Sequence, residues 1–143
     1  MMKLLKISAF VVALAGASTA SAQSEPALDC ANAQTQSDLN QCAYQDFERA
    51  DEGLNHIYKQ AMKAAVAADK EAAEMGEHYV GAVTELKKAQ RAWIDYRDGN
   101  CAGMSREALG GSMQPMLISG CQARMTELRT KELGELISAL TGN

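Results

Sequence analysis

Aromatic side chains are scarce: one tryptophan, four tyrosines and two phenylalanines in 143 residues. That excludes a core built on stacked rings and leaves a modest one of aliphatic and small side chains. Proline occurs twice, at Pro26 and Pro115, so no proline interrupts regular structure between them. The two histidines, His56 and His78, form no metal-ligand spacing with the cysteines. No CxxC pair is present, which argues against a zinc ribbon or a dithiol redox centre. GxSxG, HExxH and a phosphate-binding glycine loop are all missing, and no Ser/His/Asp set has a supporting motif. An enzyme is therefore not expected, and neither is a cofactor or a bound metal. No strand-like alternation and no internal repeat appear.

Long apolar runs are also lacking, with one exception at the start. Met1 to Lys6 is basic, Ile7 to Ala17 is almost wholly apolar, and Ala20-Ser21-Ala22 is a small-x-small site. The apolar run falls short of the ~20 residues a spanning helix needs. The pattern is that of a secretory signal peptide over residues 1–22, cut after Ala22. The expected mature domain is 23–143, periplasmic or secreted from a bacterium, with no membrane insertion after cleavage. Lys3 and Lys6 leave with the leader. The remaining 12 basic residues face 18 acidic ones, a net charge of −6. Such a surface disfavours nucleic acid and speeds encounter with a cationic partner, although solubility alone accounts for many acidic exported domains.

What is present is helical periodicity. Thr35 and Asp38 fit a capping box. Leu39, Ala43, Phe47, Ala50, Leu54, Ile57, Ala61, Ala65 and Ala68 then recur at three- and four-residue steps. The charged stretch Asp69 to His78, with Gly76, is the expected reversal. A second helix is expected from Tyr79 to Asn100, its inner stripe being Tyr79, Val83, Leu86, Gln90, Trp93, Arg97 and Cys101. Gly110-Gly111 and Pro115 mark a break, with a short helical turn around Ser105 to Leu109. A third helix is expected over Met116 to Leu140. The fold class is all-α: a small antiparallel bundle of about three long helices.

An even set of cysteines, Cys30, Cys42, Cys101 and Cys121, in an exported chain reads as two disulfides. Folding the first two helices as a hairpin gathers all four at one end of the bundle. Geometry then leaves three pairings open. Cys30–Cys42 with Cys101–Cys121 is preferred because each closes a local loop, and Cys30–Cys101 is the main rival. Gln90, Trp93 and Arg97 share the inner stripe, and the Arg97 guanidinium can lie over the Trp93 indole. Two readings compete: a packed seam fixing helix register, which is favoured, and a ligand platform. A buried Arg97 needs a carboxylate. Asp98 follows it directly and points elsewhere on a helix, so Glu127 or Asp46 is the expected partner. Arg91 and Asp95 are placed for an exposed ion pair.

These pieces occur in a characteristic order: "DCANAQTQSDLNQCA", "LNHIY", "AQRAWIDYRDGNC", "GGS", then Cys121 followed by "MTELRTKEL". The ordered set resembles the LprI-like lysozyme-inhibitor domain family, over essentially the whole mature chain. The family motif carries Gln90, Trp93, Tyr96, Arg97 and Asp98. The resemblance implies a helical, disulfide-bonded envelope protein that binds and inhibits a lysozyme-type muramidase. Animal-type lysozymes are basic, so an acidic inhibitor would be steered toward one. The loop between Cys101 and Cys121 is the candidate contact, with Ser105, Arg106, Gly110, Gly111 and Ser112 offered to the cleft. The alternative is a periplasmic interaction or immunity module that binds another envelope protein or a cell-wall toxin, without general lysozyme inhibition. The oligomeric state is not read from the sequence.

Overall fold

The computed structural model describes residues 28–142, so the expected signal peptide and its cleavage site lie outside the described residues. Among the described residues there are three long helices and no strand: α1 (Gln36–Met75), α2 (Ala82–Met104) and α3 (Gln114–Thr141). Short 3-10 turns precede α1 at Cys30–Asn32, join α1 to α2 at Glu77–Tyr79, and follow α2 at Ser105–Ala108. The expected all-α bundle is present, and no described helix is long and apolar enough to cross a membrane.

α1 begins as its sequence dictates. The Thr35 hydroxyl accepts the Asp38 backbone N–H at 3.1 Å, and Asp38 sits in the first turn, where the helix dipole favours an anion. The helix then runs 40 residues, about 60 Å at ~1.5 Å per residue. The reversal falls at the end of the expected stretch Asp69 to His78. Asp69 to Met75 is charged but contains no glycine or proline, and charge alone does not end a helix. Gly76 does: its φ of 146° is open to glycine and strained for other residues, and a Cβ there would meet the His78 ring at 3.0 Å.

α2 starts at Ala82 rather than Tyr79, because Glu77–Tyr79 is spent on the turn, and Tyr79 is exposed instead of lining the inner stripe. At its other end α2 continues through Gly99 and Asn100 to Met104. One glycine costs a helix about 1 kcal/mol, too little to stop it where packing and a disulfide hold the next turn. Pro115 lies in the first turn of α3, where a missing N–H has no helical partner to lose.

The chain runs up, down and up. α2 is antiparallel to both neighbours. α1 and α3 lie side by side and parallel: Gln36 and Asn40 near the start of α1 reach Met116 and Ser112 at the start of α3. This α1–α3 contact is the most extensive in the molecule. The core is small, as the few aromatics require: Leu54, Ala61, Ala65, Leu86 and Leu133, with Ile57, Trp93, Leu136 and Ile137 packed against it. Both preferred disulfides are present, Cys30–Cys42 and Cys101–Cys121, and no cysteine is free. They lie at the same end of the bundle. Each should stabilise the domain by about 2–4 kcal/mol.

Candidate functional site

The seam and the loop meet at the disulfide end. In the seam, Arg97 on α2 is 7% exposed, and its guanidinium carbon lies 5.0 Å from the Phe47 ring centre and 5.1 Å from that of Trp93. It is clasped between an α1 ring and an α2 ring. Its Nε donates to Asp98 Oδ1 at 2.9 Å, one terminal nitrogen lies 3.6 Å from Asp51 Oδ1, and the same nitrogen reaches Thr126 Oγ1 on α3 at 3.4 Å. Asp98 also accepts from Gln122 on α3 at 2.9 Å. All three helices are tied through one cation.

The expected partners of Arg97 are therefore corrected. Asp98 does serve, because the long arginine side chain folds back over its own neighbour even though their Cβ atoms diverge. Asp51 takes the place foreseen for Asp46, which pairs with Arg49 instead. Glu127 is exposed on α3 and makes no ion pair. Arg91 and Asp95 are both exposed and unbridged.

Gln90 is 8% exposed and accepts from Arg129 Nε at 3.1 Å, while Arg129 also holds Glu132 at 2.9 Å. Trp93 is half-buried against the core. Tyr96 does not join the seam. It is 63% exposed and lines an open groove of about 440 Å³ between α2 and α3, with Trp93, Asn100, Met104, Met125 and Leu128 among its walls.

Of the loop residues, Arg106, Gly110, Gly111 and Ser112 lie at the surface, and Ser105 does not. Ser105 is 1% exposed. Its hydroxyl donates to the Ala102 carbonyl at 2.9 Å and accepts from Gln114 at 3.4 Å, so it braces the loop from inside. The Gly110-Gly111 pair, read from sequence as a break, is pinned. The Gly110 N–H donates to Gln114 Oε1 at 3.1 Å, the Gly111 N–H donates to the Ala108 carbonyl at 2.9 Å, and Asn40 on α1 donates to the Ser112 carbonyl at 3.0 Å. Gly110 has a φ of 73°, the left-handed value that glycine adopts freely.

Sequence reasoning missed the apolar side chains on this end. Met104, Leu109 and Met113 are all more than two-fifths exposed. No periodic signal marks Leu109 and Met113, since a short irregular segment has no face, and Met104 ends α2 on an exposed side. Their proximity to Gly110-Gly111 was the available clue.

The far end of the hairpin is built around Asp69. Its carboxylate accepts the backbone N–H groups of Gly81, Ala82 and Val83 at 2.8, 2.7 and 3.1 Å, capping α2 from α1. Those hydrogen bonds, from Gly81 first and Val83 next, hold its pKa below the ordinary 3.8. Among the described residues no group of three or more His, Cys, Asp or Glu side chains converges as a metal site.

The family model described as Lysozyme inhibitor LprI matches residues 29–133. "Uncharacterized protein R02472" from Rhizobium meliloti (strain 1021) is 51% identical over 115 residues, covering 80% of this chain and 83% of that protein. No solved structure matches.

Proposed function

Because the chain belongs to the LprI lysozyme inhibitor family, we propose that it is an exported protein that binds a lysozyme-type muramidase and occludes its cleft. The inserting element is the disulfide end, with Leu109, Met104, Arg106, Ser112 and Met113 exposed there. One observation carries this reading. Exposed apolar side chains stand on a loop that a disulfide, Ser105, Gln114 and Asn40 already hold in place. A braced loop loses little conformational freedom on binding, so the apolar area it buries goes further toward affinity. The acidic surface would draw in a basic enzyme, and the groups on the loop would set how long it stays. The protein acts by binding and needs no cofactor. Its export signal is residues 1–22, and residues 23–143 form the working domain.

The test is lysis of purified cell walls by a panel of lysozymes, with and without the mature protein. Slowed lysis by at least one basic lysozyme, abolished by Leu109→Asp, supports the reading. Unchanged lysis across the panel by a correctly folded protein would overturn it in favour of an interaction or immunity module.

A further inference from the structure

Methionine is distributed unevenly. Of the six methionines among the described residues, Met104, Met113, Met116 and Met125 gather at the disulfide end, and only Met62 and Met75 lie elsewhere. Two of them share a polar neighbour. The Asn100 side-chain N–H₂ points at Met125 Sδ at 3.4 Å and Met104 Sδ at 3.6 Å, with Cys121 Sγ at 3.9 Å. It has no oxygen acceptor. Thioether sulfur accepts hydrogen bonds weakly, so the amide gains little from this placement. Met125 Sδ also lies 3.6 Å from Cys101 Sγ and 4.0 Å from Cys121 Sγ.

We propose that Met104 and Met125, with Asn100 between them, form a thioether site for a soft monovalent metal ion, Cu(I) or Ag(I). Both sulfurs keep free lone pairs at every pH, and thioether ligands select soft ions over zinc or magnesium. The neighbouring cysteines are joined to each other, so no thiolate competes for the ion. Glu132, the carboxylate lining the same groove, is engaged by Arg129. Met104 is 56% exposed and has three rotatable side-chain bonds, so it can close over an ion resting on the half-buried Met125. A half-turn of the Asn100 amide brings its oxygen to the ion as a third donor. Two cations line the groove: Arg129 is paired with Glu132, and Arg124, with no ion-pair partner, is the uncompensated charge opposed to a cation there.

The proposal is independent of muramidase binding and is tested on the full mature protein carrying ¹³C-methyl methionine. Silver nitrate in chloride-free buffer is the probe, read by the methionine methyl resonances. The Met104 and Met125 signals should shift together and saturate at one equivalent, while Met62 and the 70%-exposed Met75 stay in place. Met104→Leu and Met125→Leu should each weaken binding by about tenfold or more, and Arg124→Gln should tighten it. Because leucine preserves bulk, unchanged helical circular dichroism will separate lost binding from lost fold. Absence of a shift at Met104 and Met125, an equal shift at Met75, or saturation unaltered at the remaining methionine of either single leucine variant would each overturn the site.

Discussion

Arg97 lies between two aromatic faces that belong to different helices, so its shape matters as much as its charge. A lysine keeps the charge but cannot present a flat guanidinium to Phe47 and Trp93 at once. Arg97→Lys should cost about 1–2 kcal/mol, the sum of two modest cation–π contacts. Arg97→Ala should cost more, yet less than a fully buried pair, because Asp51 and Asp98 remain 42% and 48% exposed and can turn to water. Trp93→Ala should cost about 2–3 kcal/mol, below the range for a fully buried tryptophan, since the indole is half-buried. Urea denaturation of the three variants checks the order. Were all three as stable as wild type but defective in partner binding, the seam would have to be read as a ligand platform.

At the scale of the helices, the sequence was informative where periodicity operates and silent where it does not. The stripe from Leu39 to Ala68 identified α1 and, Leu39 itself being exposed, from Ala43 onward the side of it that packs, and local loop closure favoured the disulfides that form. It did not fix how far one helix slides along another. A stripe defines a face but not an axial register, which is why Asp51 and not Asp46 meets Arg97. Helix ends were missed for a related reason: α1 stops where Gly76 takes a positive φ, and α2 starts after a turn, where Asp69 caps it from across the hairpin. That cap makes a prediction about acid. The Asp69 pKa is lower in the folded protein than in the unfolded chain, so the native state binds fewer protons there. Its stabilising effect is complete above the ordinary carboxylate value of 3.8 and is lost as pH falls through the lowered folded value. Asp69→Ala should lower the melting temperature at pH 7, and the gap from wild type should narrow steadily below pH 3.8. A gap that stays constant down to strong acid would mean the side chain acts by packing alone.

Taken as a whole, the molecule separates charge from contact. α1 carries eight acidic residues against four basic ones, whereas α2 and α3 are each close to balance. The exposed Leu109 sits at the end braced by both disulfides. If a basic muramidase is the partner, these two features should appear in different rate constants. Long-range charge governs encounter, and the docked loop governs release. Raising salt from 0.1 to 1 M shortens the Debye length from ~10 Å to ~3 Å, so association should slow while dissociation changes little. Leu109→Asp, and Arg106→Ala with Ser112→Ala, should speed dissociation and leave stability within about 0.5 kcal/mol, since all three side chains are at the surface. Ser105→Ala should behave differently. Its hydroxyl is buried between Ala102 and Gln114, so it should loosen the loop and lower stability before any contact with a partner is made. Surface plasmon resonance and thermal melts on the same set of variants separate these effects. An association rate indifferent to salt would rule out steering by α1. Loop variants that dissociate like wild type would place the contact on another face of the bundle.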